Sequence, residues 1–195
     1  MKQYTKMLSF VLVMGLFTSA IFVGMELWTG PLIAANEANE IKTTILDAYD
    51  VPYTLGNIAD VFDEKVEVKT IDGITFYIDK TTNRVSYQFT GGGVWGEIIG
   101  VITLESDFET IVRIRVLEQQ ETPGLGGIVA TPKYLNTFVG IKMLPQLEIN
   151  QPDSATNKPN EVDTITGATR TSKAFEAMLN TSYTAAAAAW AKGGN

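Results

Sequence analysis

The chain opens with an uninterrupted apolar run. It extends from Met7 to Met25 without a charge or a proline, and nineteen helical residues at about 1.5 Å each nearly span a bilayer core of roughly 30 Å. Lys2 and Lys6 precede the run and Trp28 follows it, so the positive-inside rule predicts a cytoplasmic amino terminus and an extracytoplasmic domain. We therefore expect a single-pass cell-membrane protein, with a transmembrane anchor in residues 1–35 and a domain in residues 36–195.

A cleaved signal peptide is the alternative interpretation of this run. The segment Ile33-Ala34-Ala35 offers small residues near a plausible cleavage site, but the apolar stretch is longer than the 7–15 residues typical of a signal sequence. Both interpretations predict that the domain is exported.

Beyond the anchor, apolar residues recur first at helical and then at strand spacing. Asn39 to Tyr49 has helical spacing and is limited by Pro52. Period-two alternation follows, with turns at Asp72-Gly73 and around Asn83, and we expect Gly91–Gly93 to interrupt it. The predicted strands are 66–70, 74–78, 85–89, 98–104 and 110–118.

Two further helices are predicted in the second half of the domain. One begins at Thr131-Pro132, an N-cap followed by proline at the first helical position, and carries Leu135, Phe138 and Val139. The last begins near Thr171-Ser172 and continues through the alanine run, while 148–159 reads as an irregular polar loop. The sum is an α+β fold, a mainly antiparallel sheet packed against helices.

Composition limits the chemistry that this domain can perform. The chain contains no cysteine and no histidine, which excludes thiol chemistry, cysteine-ligated clusters and the usual haem and metal ligands. Redox work would therefore require a bound organic cofactor. A net charge of −7 argues against nucleic acid as a partner.

A Gly/Thr-rich segment, Asp163-Thr164-Ile165-Thr166-Gly167-Ala168-Thr169, precedes the final predicted helix. Small residues let backbone N–H groups approach an anion, and the amino terminus of a helix adds favourable partial charge. Hydroxyls of Thr171 and Ser172 lie nearby in the sequence. The segment therefore suits a phosphate group, although an ordinary helix entry with Thr171 or Ser172 as N-cap explains it equally well.

The pattern Asp163-x-x-Thr166-Gly167-Ala168-Thr169 resembles the flavinylation signature of the FMN-binding-domain family. In that family a flavin transferase attaches FMN through a phosphoester to the final threonine. The resemblance implies Thr169 as the attachment point of a covalent FMN. It also implies that Asp163, Thr166, Gly167, Ala168 and Thr171 belong to the cofactor site.

A second segment, Glu121-Thr122-Pro123-Gly124-Leu125-Gly126-Gly127, resembles a loop that packs against the flavin ring in the same family. Proline and glycines make a sharp loop whose backbone can approach a flat ligand. The resemblance implies FMN contacts from Glu121, Thr122, Pro123, Gly124, Leu125 and Gly126. Relatives often have histidine just before this loop, where this chain has Gln119-Gln120, so any tuning by that histidine is absent.

A third segment, Gly93-Val94-Trp95-Gly96, also resembles the family. It makes Trp95 a candidate for lining the flavin, with a core tryptophan as the alternative. The compact length favours the G subunit of Rnf-type ferredoxin:NAD oxidoreductase complexes, which would give the chain other membrane subunits as partners. The related C subunit of sodium-pumping NADH:quinone oxidoreductase, a stand-alone exported electron carrier and a non-covalent binding module remain alternatives.

Overall fold

The structure, a computed structural model, describes residues 2–153 and 156–194 and divides into two units, Met1–Ile41 and Lys42–Asn195. Helix α1 (Lys2–Ala48) is continuous through Pro31. The sequence predicted an apolar span and a separate helix from Asn39, and this separation is wrong. Most residues from Glu26 to Asn39 are Leu, Ala and Glu, which favour helix. Among the described residues, one helix, Gln3–Ala48, is apolar and long enough to cross a membrane.

A five-stranded antiparallel meander forms the centre of the second unit. Its strands follow helix α2 (Ile58–Lys65) and lie in chain order: β1 (Val66–Ile71), β2 (Ile74–Asp79), β3 (Val85–Gly92), β4 (Glu97–Leu104) and β5 (Ile111–Glu118). The predicted strands and both tight turns are confirmed, and Asp72, Gly73 and Asn83 have the positive φ that such turns require. The short helix α2 was not predicted.

Strand β3 continues through Gly91 and Gly92, which pair with Ile98 and Glu97. The prediction that these glycines interrupt the strand is therefore wrong. A Cβ at Gly91 would lie 2.7 Å from Cγ of Met178, so the glycine permits close packing under the carboxyl-terminal helix rather than a break in pairing.

The segments after the sheet are shorter and less regular than predicted. A 3-10 turn (Gly126–Ala130) leads to α3 (Pro132–Leu135), whose N-cap Thr131 is confirmed, and to a second 3-10 turn (Asn136–Phe138). Val139 is exposed rather than buried with Leu135 and Phe138, because the helix ends before reaching it.

The predicted irregular loop 148–159 contains a strand. β6 (Glu148–Asn150) pairs in parallel with β7 (Glu161–Asp163), which corrects the prediction; residues 154 and 155 lie outside the described residues. This pairing was invisible in the sequence because a three-residue strand shows no measurable period. Helix α4 (Thr169–Gly193) follows and includes the whole alanine run.

Helix α4 covers one face of the sheet with Phe175, Leu179 and Tyr183, all buried in one apolar core with Phe76 and Phe89. The α+β architecture predicted from the sequence is thus confirmed. Ser86 of β3 faces the opposite side, because neighbouring residues of a strand point to opposite faces.

On that opposite side, the buried phenol of Tyr49 joins two strands. Its hydroxyl donates to the carbonyl of Tyr77 at 2.5 Å and accepts from the hydroxyl of Ser86 at 2.9 Å. Ser86 also shares a hydrogen bond of 2.8 Å with Thr103. The residue that follows α1 is therefore fixed to the sheet by polar as well as apolar contacts.

We expect Tyr49→Phe to lower the free energy of unfolding by about 1–3 kcal/mol, because it leaves a buried carbonyl and hydroxyl with one partner fewer. Tyr53→Phe is the matched control, since the Tyr53 hydroxyl bonds to Asp47 at an exposed position. Urea unfolding of both variants measures the difference. Equal stabilities would contradict a structural role for the Tyr49 hydroxyl.

Candidate functional site

Three segments that are distant in the sequence line one open cavity of about 340 Å³. They are residues 94–95 of the turn between β3 and β4, residues 121–126 after β5, and residues 167–171 at the start of α4. We call it the Thr169 cavity. Nine residues singled out in the sequence line it: Trp95, Glu121, Thr122, Leu125, Gly126, Gly167, Ala168, Thr169 and Thr171.

Four other residues singled out in the sequence do not line this cavity: Pro123, Gly124, Thr166 and Asp163. The first three are exposed. The Asp163 carboxylate accepts a hydrogen bond from the Asn157 side-chain amide at 3.0 Å, and its backbone carbonyl accepts one from Tyr134 at 3.1 Å. These contacts fit a role in shaping the segment before the cavity; direct contact between Asp163 and a cofactor stays a prediction.

The carboxylate of Glu121 connects all three segments. It is 4 % exposed, and one oxygen accepts from the backbone N–H of Val94 at 2.7 Å and of Trp95 at 2.9 Å. Its other oxygen accepts from the hydroxyl of Thr171 at 2.7 Å. Because its partners belong to the other two walls, this side chain fixes the shape of the cavity.

Helix α4 begins at Thr169, two residues earlier than predicted, and its N-cap Ala168 provides no side-chain hydrogen bond. The alternative in which Thr171 or Ser172 is the N-cap is therefore wrong. The Thr171 hydroxyl bonds to Glu121, while that of Ser172 accepts from the N–H of Ile165 at 3.1 Å. The first-turn N–H groups of the helix lack intrahelical acceptors, a favourable environment for an anion.

The hydroxyl of Thr169 lies at the surface of the cavity. Thr169 is exposed, and its oxygen accepts a hydrogen bond of 2.9 Å from the Gln151 side-chain amide. Gly167, two residues earlier, has φ of +81°, a conformation that glycine adopts without strain. The backbone therefore turns sharply into the helix and leaves the Thr169 hydroxyl accessible.

Two apolar side chains at the cavity are largely exposed. Trp95 is 71 % exposed and Leu125 is 48 % exposed, although both line the cavity. The alternative that Trp95 belongs to the core is therefore wrong. Exposed apolar groups beside a cavity are characteristic of a binding surface.

Two further residues line the cavity, and the sequence analysis did not single them out: Val94 and Arg170. Arg170 is exposed and is the second residue of α4, so it brings a positive charge beside the Thr169 hydroxyl. Its position directly after the Gly/Thr-rich segment was the available signal, since a phosphate site commonly recruits arginine.

Below the cavity, burial raises the pKa of the Tyr134 hydroxyl to about 12, and the charges of Asp163 and Glu176 add to this effect. An unfolded tyrosine has a pKa of about 10. The folded pKa is the higher one, so the stability linked to Tyr134 is fully present below pH 10 and is lost as the pH rises through 12.

We therefore expect the wild-type free energy of unfolding to fall more steeply between pH 10 and pH 12 than that of Tyr134→Phe, by about 2 kcal/mol at the upper end. Urea unfolding across this pH range measures the two slopes. Identical slopes would show that the Tyr134 hydroxyl titrates normally in the folded protein.

The chemistry of the cavity wall suits FMN. Val94, Trp95 and Leu125 provide apolar contacts for a flat ring, and the amino terminus of α4 with Arg170 provides a favourable environment for a phosphate. A Cβ at Gly126 would lie 2.5 Å from Glu121 Oε2 and 2.7 Å from Thr171 Oγ1. The absence of a side chain there is therefore required for the observed shape.

Comparison with curated proteins identifies C subunits of Na⁺-translocating NADH-quinone reductase as relatives. The one from Haemophilus ducreyi is 36% identical over 100 residues, covering 49% of this chain and 38% of the relative. The one from Vibrio vulnificus is 26% identical over 155 residues, covering 76% and 60%. The chain thus spans between about two fifths and three fifths of the length of these relatives.

Two solved structures share the fold. Shewanella oneidensis NqrC matches with a TM-score of 0.65 and 21% identity, over 76% of this chain and 93% of that structure. The corresponding protein of the Na⁺-translocating NADH-quinone reductase from Parabacteroides distasonis matches with a TM-score of 0.66 and 23% identity, over 77% and 91%.

The FMN-binding domain family matches residues 93–184. This range contains all three segments that line the Thr169 cavity. The family resemblance noted in the sequence and the geometry of the cavity therefore concern the same part of the chain, and residues 93–184 belong to the FMN-binding domain family.

Proposed function

We propose that this chain is a membrane-anchored electron-transfer subunit that carries FMN covalently, through a phosphoester to Thr169. One observation carries the proposal: the exposed hydroxyl of Thr169 stands at the amino terminus of α4, inside a cavity whose opposite wall is the 121–126 loop. The family match over residues 93–184 supports FMN as the occupant.

In this proposal, the chain binds and orients the cofactor. Leu125 and Trp95 pack against the ring, and the first turn of α4 stabilises the phosphate. Arg170 adds a positive charge that balances the phosphodiester. FMN accepts and donates electrons when bound, and the protein supplies orientation and electrostatics. The large exposure of Trp95 leaves one side of the cavity open to a redox partner.

We propose that the partners are other membrane subunits of an ion-translocating oxidoreductase. The relatives named above are C subunits of Na⁺-translocating NADH-quinone reductases, which favours a complex of this type. The Rnf-type assignment favoured by the compact length is not confirmed by these comparisons. The run from Met7 to Met25 contains no charged residue, so ion translocation would belong to partner subunits.

The proposed topology follows from the charges around the apolar run. Residues 1–35 would anchor the chain in the cell membrane, and residues 36–195 would lie outside the cytoplasm. Lys2 and Lys6 before the run favour this orientation, and the apolar stretch within Gln3–Ala48, of mean hydropathy 2.2, is long enough to span the bilayer. A covalent bond would keep the cofactor on a carrier in this compartment.

The mass of the intact chain tests the covalent attachment. Produced in cells that contain a flavin transferase, the chain should gain about 438 Da, the mass of FMN minus water in a phosphoester adduct, and retain it under denaturation. An unmodified chain from such cells would overturn the covalent proposal. Flavin that is released on denaturation would instead indicate a non-covalent binding module.

Purification from native membranes in mild detergent tests the partners. We expect several integral membrane proteins to co-purify with the chain, and their peptide masses would distinguish a quinone reductase from an Rnf-type complex. A flavinylated chain that is isolated alone would support a stand-alone carrier and contradict the complex.

A further inference from the structure

The buried carboxylate of Glu121 is an uncompensated negative charge in the wall of the Thr169 cavity. Glu121 is 4 % exposed, and no ion pair involves its side chain within residues 2–153 and 156–194. Its three neighbours all donate to it: the N–H groups of Val94 and Trp95 and the hydroxyl of Thr171. This hydrogen-bond pattern is that of an ionised carboxylate.

The protein retains this charge at a cost, because removing a carboxylate from water is unfavourable without compensation. The three hydrogen bonds and the nearby amino terminus of α4 supply that compensation. A neutral side chain with one acceptor and one donor could make the same three contacts. The contacts alone therefore do not require a charge at this position.

We propose that the Glu121 carboxylate lowers the midpoint reduction potential of the FMN carried on Thr169. The inference rests on the proposed function. Two electrons from a reductant and one proton from water convert oxidised FMN to its anionic reduced form. The added negative charge is repelled by a carboxylate that lines the same cavity, and repulsion is stronger at a buried site than in water.

Arg170 acts in the opposite direction but more weakly on the ring. It lines the cavity beside Thr169 and is exposed, so solvent and salt screen its charge. Glu121 is screened less because it is buried. The net effect of the two side chains is a field that opposes reduction.

The variant Glu121→Gln separates the charge from the contacts. The amide oxygen can accept from the N–H groups of Val94 and Trp95, and the amide nitrogen can donate to the Thr171 hydroxyl. Glu118→Gln is the matched control, because Glu118 is an exposed carboxylate three residues earlier that does not line the cavity. Both variants remove one negative charge from the chain.

The experiment is a dithionite titration of the flavinylated full chain in detergent, against a reference dye, with the flavin absorbance as the readout. We expect a more positive midpoint potential in Glu121→Gln, an unchanged one in Glu118→Gln, and flavin loading as in the wild type. Raising the ionic strength should leave most of the difference in place, since a buried charge is poorly screened.

An unchanged potential in flavinylated Glu121→Gln would overturn the inference and leave the proposed function intact. The inference would also be overturned if Glu121→Gln failed to fold or to take up flavin, because the carboxylate would then be a requirement of the site rather than a tuning charge. A wild-type chain without flavin, from cells with the transferase, would instead overturn the proposed function and the inference with it.

Discussion

Thr169→Ala should abolish the covalent flavin completely. The substitution removes the hydroxyl that would form the phosphoester, and because the position is exposed the loss of stability should be small. Intact mass should show the unmodified chain, about 438 Da lighter than the adduct expected for the wild type. The flavin fluorescence that the wild type retains in a denaturing gel should vanish.

Two matched variants separate the hydroxyl from the segment around it. Thr169→Ser keeps a hydroxyl on the same atom and should retain some adduct. Thr166→Ala removes an exposed hydroxyl that does not line the cavity, and should leave the adduct mass unchanged. An adduct that persists in Thr169→Ala would contradict the assignment of the attachment site, and loss in Thr166→Ala alone would move it to that residue.

Gly126→Ala should disrupt the cavity without touching the attachment residue. The added Cβ would lie 2.5 Å from Glu121 Oε2 and 2.7 Å from Thr171 Oγ1, closer than real Cβ contacts. Both side chains are buried and held by their mutual hydrogen bond, so relief requires breaking it. We expect a loss of stability of about 1–3 kcal/mol, as for overpacking of a core, and a several-fold lower flavin content.

Gly92→Ala is the control for this substitution. A Cβ at Gly92 would have no atom within 4 Å, and Gly92 has no positive φ, so alanine should be tolerated there. Thermal unfolding and the ratio of flavin to protein absorbance measure both variants. Wild-type stability and flavin content in Gly126→Ala would show that the Glu121–Thr171 contact does not shape the site.

Much of the fold could be predicted because its signals are local. The period-two alternation and the turns at Asp72-Gly73 and Asn83 predicted the meander, and the Thr131-Pro132 pair predicted the start of α3. The errors arose where local preference was overridden. Gly91 stays in its strand because Met178 packs over it, and Asn39 continues a helix because its neighbours favour one.

The candidate site was less predictable than the fold. The sequence singled out the 121–126 and 167–169 segments through family resemblance, but not Arg170 or Val94, which no motif marks. It also could not distinguish a core tryptophan from an exposed one at Trp95, since both occur in a short glycine-rich segment. Only the packed structure distinguishes residues that line the cavity from others in the same motifs, such as Asp163.

The sequence by itself determined the apolar run, the antiparallel sheet and the threonine on which the chemistry would depend, because periodicity and turn residues act over a few positions. The tertiary structure decided how the cavity is built. Glu121 bonds to Val94 and Trp95, 27 and 26 residues before it, and to Thr171, 50 residues after it. Contacts over such separations leave no local pattern, since they exist only once the sheet and α4 have packed together.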